Sequence, residues 1–307
     1  MGVVVKRQGR RGVLVVVVRG VEPVVLDLGR LENLAESGYY NPYSMFDWPD
    51  VIEPGLPWMS ESLTTLAGTE MWEGLSREQQ VALTRFEAIN FFSLNIHGIR
   101  ELMSEVVMRI HERTYAGVSE FLHHFIGEEN EHMWFFAQFC LRYGGKLYPA
   151  QPALKAGSVD HLSPVARELI VFARILIFEE IVDYYNAHMA TDASLPAIAR
   201  EINRVHHQDE SRHVAFGRMI FTNLLGQVAQ RDAGEVPVIA EYLESYLQYS
   251  IATLYNPQAY RDAGIADALG VRRRALAHPV RRAAHDEVLK RTRKFLTRAG
   301  VGREVIK

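Results

Sequence analysis

Two Glu-x-x-His motifs lie 81 residues apart in the 307-residue chain, the first at Glu129 and His132 and the second at Glu210 and His213. Residues three apart on an α-helix lie one turn apart on nearly the same face, so each motif presents a carboxylate and an imidazole to one point. One such motif is common by chance. Two of them, on separate apolar helices, match helical bundles that bind a metal pair and in which each of two other helices adds one glutamate.

The first hairpin predicts which glutamate accompanies the first motif. In an antiparallel helical hairpin, residues at equal sequence distances from the turn lie level with each other. Glu101 and Glu129 are centred on the predicted turn at residues 113–117, whereas Glu87 would require a turn inside the apolar run 106–110. We therefore predict Glu101 as the ligand from this hairpin and reject Glu87.

The second hairpin leaves two neighbouring glutamates open. The midpoint between Glu179 and Glu210 and the midpoint between Glu180 and Glu210 both fall in the predicted break at residues 192–196. Equal distance from the turn therefore does not distinguish the two glutamates. An apolar stripe on the face of Glu179 favours that residue, and Glu180 would then be an outer or solvated carboxylate. The stripe consists of Phe172, Ile175, Leu176 and Val182.

A third imidazole is available beside the second motif. His206 precedes Glu210 by four residues and His213 by seven, which keeps all three within about 60° of one helical face. His207 points about 100° away from His206 and is predicted to be a surface or outer histidine.

Two further side chains are predicted to surround the ligands rather than to bind metal. Asp209 and Glu128 each precede a predicted ligand glutamate, and their carboxylates suit acceptors for the outer N–H groups of ligand imidazoles. His97, one turn before Glu101, is an additional outer candidate.

The predicted ligand set contains four carboxylates and three imidazoles. Carboxylates inside a bundle are costly unless they are paired or neutralised, and two divalent ions would balance four negative charges. Mixed imidazole and carboxylate ligation suits iron, with manganese as the alternative metal. The predicted ligands are Glu101, Glu129, His132, Glu179, His206, Glu210 and His213.

With seven candidate ligands in this order, the chain resembles the AurF-like di-iron arylamine N-oxygenases of the ferritin-like superfamily. His206 supplies the distinguishing third histidine. The resemblance covers about residues 30–260; the interval between Glu101 and Glu129 is shorter than the family's, and the C-terminal extension is additional. It implies oxidation of a small-molecule amine to a hydroxylamine, nitroso or nitro group, with dioxygen as co-substrate and electrons from an external donor protein or reductant.

Other functions share parts of this pattern. A di-iron carbon hydroxylase or desaturase would use a similar ligand set, so the substrate stays open. A radical-generating ribonucleotide reductase subunit typically has a tyrosine one turn after the first ligand histidine, where this chain has Phe136. An iron-storage protein and a purely structural helical protein are the alternatives that are not enzymes.

The elements that must position these residues are predicted to be helices. A capping box at Ser76 and Gln79 begins the first long helix, which reaches about Ile110, and Ser163 followed by Pro164 begins the third. Nothing resembles two strands joined by a crossover. The predicted fold class is therefore all-α, a ferritin-like helical bundle with additional helices, and the other predicted helices span about 118–142, 197–226, 235–255 and 280–299.

The chain divides into three predicted regions. Residues 1–28 form a β-prone or disordered leader, residues 29–260 the di-iron bundle, and residues 261–307 a basic helical extension whose last part, 271–307, carries 12 Lys and Arg against 3 Asp and Glu. We expect the basic helix to present a solvated face.

The composition limits which classes of partner and which cellular compartment we expect. A formal net charge of −3 gives no reason to expect nucleic acid. The longest apolar stretch, Val13–Val18, is far shorter than the roughly 18 residues of a membrane span. The single cysteine, Cys140, suits a reducing cytoplasm. The oligomeric state stays open, with a homodimer as one expectation.

Overall fold

The computed structural model describes residues 24–152, 154 and 159–302, so the predicted leader lies almost entirely outside the described residues. The described part of the chain is helical and forms no β-strand, which confirms the all-α prediction. The helices are α1 (Gly29–Ser37), α2 (Pro42–Met45), α3 (Glu70–Glu73), α4 (Arg77–Val107), α5 (Ser119–Phe139), α6 (Pro164–Thr191), α7 (Ala197–Arg231), α8 (Glu235–Leu254), α9 (Pro257–Asp262), α10 (Ala268–Ala277) and α11 (Pro279–Arg298).

Two antiparallel hairpins, α4 with α5 and α6 with α7, form the centre of the bundle. The capping box at the start of α4 is present: Ser76 Oγ accepts the backbone N–H of Gln79 at 3.2 Å, and the Gln79 side chain accepts that of Ser76 at 3.1 Å. Ser163 caps α6 and Pro164 occupies its first turn, as predicted. These caps satisfy backbone N–H groups that have no partner inside the helix.

The connection between α4 and α5 differs from the prediction. The first helix ends at Val107 rather than near Ile110, and the turn occupies residues 108–118 rather than 113–117. The longer turn changes which residues of α4 lie level with α5, and this affects the predicted metal ligands.

The C-terminal helices pack onto the bundle rather than extending away from it. The helix α9 packs against α4, α8 against α6, and α11 against α6. One face of α11 is buried, including Val288, Leu289 and Leu296, so only its opposite face is the solvated surface expected of the basic tail. None of the described helices has the length and apolar content needed to cross a membrane.

Candidate metal centre

Six of the seven predicted ligands converge in the interior of the bundle. Each of them is at most 1% exposed to solvent. Both Glu-x-x-His pairs lie within one group, in which the ligand atoms are all within 4.8 Å of one another. The converging residues are Glu129 and His132 on α5, Glu179 on α6, and His206, Glu210 and His213 on α7.

The atoms that face the centre of this cluster have no hydrogen-bond partner. They are all six carboxylate oxygens of Glu129, Glu179 and Glu210, and one ring nitrogen of each histidine: His132 Nδ1, His206 Nε2 and His213 Nδ1. Buried polar atoms are rarely left unpaired, because the cost of removing them from water is then not recovered. Nine such atoms in one place indicate a ligand shell.

The spacing of these atoms suits ligands that share a metal ion. Atoms bound at about 2.1 Å to one ion lie roughly 3.0–3.4 Å apart. Glu210 Oε1 lies 3.0 Å from His206 Nε2 and 3.4 Å from His213 Nδ1, and Glu129 Oε1 lies 2.8 Å from His213 Nδ1. His132 Nδ1 is 3.6 Å from Glu129 and 3.7 Å from Glu210. Glu129 and Glu210 each approach more than one imidazole, so each carboxylate would share a metal ion with a histidine.

Burial and like charge make this cluster costly without metal. Burial, together with the carboxylates of Glu210 and Glu129, raises the pKa of Glu179 well above its usual range. Burial alone would also raise the pKa of Glu210, but His206 and His213 hold it well below its usual range. The residues therefore fit a pair of divalent ions, which would supply the positive charge that three buried carboxylates require.

The imidazole of His132 is oriented by an outer carboxylate, as predicted. His132 Nε2 donates to Asp209 Oδ2 at 3.1 Å, and Tyr40 donates its hydroxyl to the same oxygen at 2.9 Å. Burial alone would raise the pKa of Asp209, but His132 and Arg212 hold it at about 2. The ionised Asp209 keeps the proton on His132 Nε2 and leaves the Nδ1 lone pair free for a metal ion.

The imidazole of His213 is held in the same way. His213 Nε2 donates to Glu128 Oε2 at 2.8 Å, and Arg212 joins the two outer carboxylates by donating to Glu128 at 2.6 Å and to Asp209 at 2.7 Å. The predicted role of Glu128 is thus present in the structure. Tyr40 and Arg212 were not predicted: Tyr40 lies far from both motifs in the sequence, and Arg212 lies within the second motif, but its contact with Glu128 joins two helices.

The third imidazole has a neutral outer partner. His206 Nδ1 contacts Asn186 Nδ2, and Asn186 Oδ1 has no partner. Turning the Asn186 amide by 180° would let Oδ1 accept from His206 Nδ1–H. This arrangement gives Oδ1 a partner, and it leaves the lone pair of His206 Nε2 directed toward Glu210.

Glu179 and Glu180 are separated clearly by the structure. Glu179 points into the cluster with neither oxygen paired. Glu180 points the other way: its Oε1 accepts from Arg218 at 2.6 Å and its Oε2 from Thr292 at 2.6 Å. The placement favours Glu179 as the ligand from α6, in agreement with the choice made from its apolar stripe.

Glu101 is the one predicted ligand that the structure does not bring into the cluster. Its side chain is 60% exposed and pairs with Arg174. This corrects the prediction, and the reason is rotational. Phe92 stacks on Phe136, and counting along the two antiparallel helices from that pair puts buried Ile99 level with Glu129. Glu101 lies two residues further, about 200° around the helix.

The remaining candidates also lie away from the cluster. Glu87 is buried but accepts hydrogen bonds from the backbone and hydroxyl of Thr65, so its rejection as a ligand agrees with the structure. His97 Nε2 contacts the Tyr148 carbonyl at 2.8 Å, and the partly exposed imidazole of His207 pairs with the buried carboxylate of Asp183 on α6. Neither of these two contacts involves a residue of the cluster.

A cavity of about 510 Å³ lies between α4, α6 and α8. Buried Phe91, Asn95 and Val182 line its inner end, while Arg100 and Glu101 lie at its exposed side. Its mainly apolar inner wall and polar mouth suit a small organic molecule.

Replacing Asp209 by asparagine is expected to weaken metal binding by about 10- to 100-fold, because the amide no longer provides the charge that orients His132. Competition with a chelator would measure the change. Asp183→Asn is a matched control: Asp183 is a similarly buried carboxylate that pairs with an imidazole, His207, outside the cluster. Equal metal affinity in Asp209→Asn and the wild type would contradict the orienting role.

One protein family and several solved structures match the chain. The family described as p-aminobenzoate N-oxygenase AurF matches residues 28–300. No curated protein matches the chain. Solved structures that match include an R2-like ligand-binding oxidase variant with aerobically reconstituted Mn/Fe cofactor, at a TM-score of 0.46 and 15% identity over 91% of this chain and 95% of that chain. An anaerobically reconstituted variant matches at a TM-score of 0.44 and 15% identity, over 84% and 92%.

Proposed function

The chain belongs to the p-aminobenzoate N-oxygenase AurF family, and on that premise we propose that it is a di-iron oxygenase that oxidises the amino group of a small molecule. The observation that carries the proposal is the buried set of nine unpaired carboxylate and imidazole atoms on α5, α6 and α7. Iron is the proposed metal and manganese the alternative, because this mixed ligand set suits both.

The reaction needs an external source of electrons. In the first oxidation, an amine, one dioxygen molecule, two electrons and two protons give a hydroxylamine and one water. Further oxidation of the hydroxylamine gives the nitroso and nitro products. The bound metal pair would supply the site at which dioxygen is reduced, and a separate donor protein or small reductant would supply the electrons.

The chain's own residues hold, orient and shield the site. Asp209 and Glu128 orient two ligand imidazoles, and Asn186 contacts the third. Phe136 packs against His206 at a ring distance of 4.9 Å and helps exclude water from the cluster. The cavity beside α4 would admit the substrate, and its apolar inner wall at Phe91 and Val182 suits an aromatic or aliphatic body.

The experiment is a single-turnover assay with a panel of substrates. The iron-loaded protein is reduced, exposed to ¹⁸O₂ and offered p-aminobenzoate, other aryl amines, amino acids and acyl chains. We expect ¹⁸O attached to nitrogen in at least one amine, and no product with Glu210→Ala. Oxygen attached only to carbon, or a desaturated chain, would overturn the amine while retaining the oxygenase. Metal binding without dioxygen consumption for any substrate would favour storage instead.

A further inference from the structure

The helix α4 contributes no carboxylate to the cluster, although the two-hairpin pattern calls for one from each accompanying helix. Its four acidic residues are engaged or exposed elsewhere. Glu87 accepts from Thr65, Glu101 pairs with Arg174, Glu105 pairs with Arg109, and Glu78 is exposed. The carboxylate count at the cluster is therefore three, contributed by α5, α6 and α7.

A buried amide on α4 has a free oxygen. Asn95 is fully buried, its Nδ2 donates to the Phe91 carbonyl at 2.7 Å, and its Oδ1 has no partner. The bond to Phe91 sets the orientation, because a carbonyl can only accept, so the amide nitrogen must face it. The group that points away from the helix backbone is consequently the oxygen, which is a suitable metal ligand.

Packing contacts place Asn95 beside the cluster. Phe91 stacks on Tyr185 at a ring distance of 5.1 Å, and a Cβ at Gly98 would collide with the ring of Phe178. The helices α4 and α6 therefore run antiparallel and close together at these residues. Asn95, between Phe91 and Gly98, lies beside the turn of α6 that follows Glu179.

The contacts with α5 lead to the same position. Phe92 stacks on Phe136 at 4.9 Å, and Phe136 packs on the His206 ring at the same distance. Asn95 lies one turn further along α4 and also lines the inner end of the cavity. The free oxygen is thus located where α4 passes between the cavity and the ligand cluster.

We propose that Asn95 Oδ1 is the ligand that α4 supplies to the metal pair, in place of a carboxylate. This inference rests on the proposed metal centre. Three carboxylates and a neutral amide give the ligand set a charge of −3 against +4 for two divalent ions, so the ion nearest α4 is held less tightly than its neighbour.

The test measures metal binding rather than turnover. Wild type, Asn95→Leu and Asn95→Asp are loaded anaerobically with Fe(II) or Mn(II), and the bound metal is counted by elemental analysis during competition with a chelator. We expect wild type to hold two ions that leave at different chelator concentrations. Asn95→Leu should bind the weaker ion about 10- to 100-fold less tightly, and Asn95→Asp, which adds a charge without changing shape, about tenfold more tightly.

The matched control is Asn203→Leu on α7. Asn203 is equally buried, donates to the Ala199 carbonyl at 2.7 Å and also has an unpaired Oδ1, but it lies one turn beyond His206. We expect this variant to keep both ions. Equal loss of metal in both leucine variants, or unchanged binding in Asn95→Leu, would overturn the inference.

Anomalous diffraction from the metal-loaded protein gives a second measurement that does not depend on the folding of a variant. A metal ion within bonding distance of Asn95 Oδ1 would support the assignment, and a water molecule or protein group between them would overturn it. A wild-type protein that never binds two ions would instead overturn the proposed function itself, and this inference with it.

Discussion

Glu210→Ala is expected to reduce the metal content of the purified protein from close to two ions per chain to near zero. The carboxylate of Glu210 approaches all three cluster imidazoles, at 3.0 Å for His206, 3.4 Å for His213 and 3.7 Å for His132. Its removal therefore takes away the carboxylate that all three imidazoles face. Loss of an outer partner typically costs 10–100-fold in affinity, and loss of a carboxylate that faces the centre of the cluster should cost more.

Glu129→Ala should behave similarly, because Glu129 lies between His213 and His132. Glu101→Gln is the control that distinguishes the structure from the sequence-based prediction. Since Glu101 is exposed and pairs with Arg174, its variant should retain both ions. Elemental analysis after gel filtration measures the outcome. Full metal content in Glu210→Ala and Glu129→Ala would contradict the site, and loss of metal in Glu101→Gln would restore the original ligand prediction.

Metal removal is expected to have the largest effect on stability. Metal that binds only the folded chain adds about 4 kcal/mol to the free energy of unfolding when its free concentration is roughly 1,000 times Kd. The increment is set by the affinity for metal, which would provide partners for the buried carboxylate oxygens of Glu129, Glu179 and Glu210. Urea denaturation with saturating Mn(II) or with chelator, both without dioxygen, measures the difference.

Glu179→Gln tests the cause of this dependence. Burial and its acidic neighbours raise the pKa of Glu179 well above its usual range, so a neutral amide of the same size should relieve repulsion in the metal-free protein. We expect this variant to be more stable than wild type without metal and to gain less from added metal. Glu180→Gln is the adjacent control, and it should be destabilised in both conditions because Glu180 pairs with Arg218 and Thr292. Equal stability of wild type with metal and with chelator would contradict this account.

Much of the fold is encoded locally and was predictable. The Ser76–Gln79 capping box and the Ser163–Pro164 start each begin a helix where the sequence indicates, because caps act through neighbouring residues. Short helices α1, α9 and α10 were not predicted. Packing against the bundle stabilises elements of this length, and single-sequence periodicity carries little signal for them.

The packing position of the C-terminal helix α11 could also not be predicted from the sequence. Its charge content predicted a solvated basic face, yet Thr292 reaches the Glu180 carboxylate on α6 and Arg281 reaches the Ala67 carbonyl. These contacts join residues more than 100 positions apart. Their formation depends on how whole helices pack, and neither composition nor charge records that packing.

The sequence by itself predicted the six side chains that converge in the cluster and two of the carboxylates that contact them. Glu129 with His132, and His206 with Glu210 and His213, are set by helical spacing alone, and Asp209 and Glu128 follow from adjacency to the motifs. Glu179 was preferred to Glu180 because the core face of a helix is apolar, and the structure buries Glu179 in the cluster while pairing Glu180 with Arg218.

Only the tertiary structure decided what α4 contributes. Equal sequence distance from the turn predicts which residues of two paired helices lie at the same height. It does not predict the direction in which their side chains point. Two residues move a side chain about 200° around the helix, which is the difference between buried Ile99 and exposed Glu101. Asn95 had no distinguishing pattern in the sequence. Asn95 stands out only in the packed structure, where α4 lies against α5 and α6 and Asn95 Oδ1 is buried without a partner. The reason is that contacts between residues far apart in the sequence depend on how the helices pack.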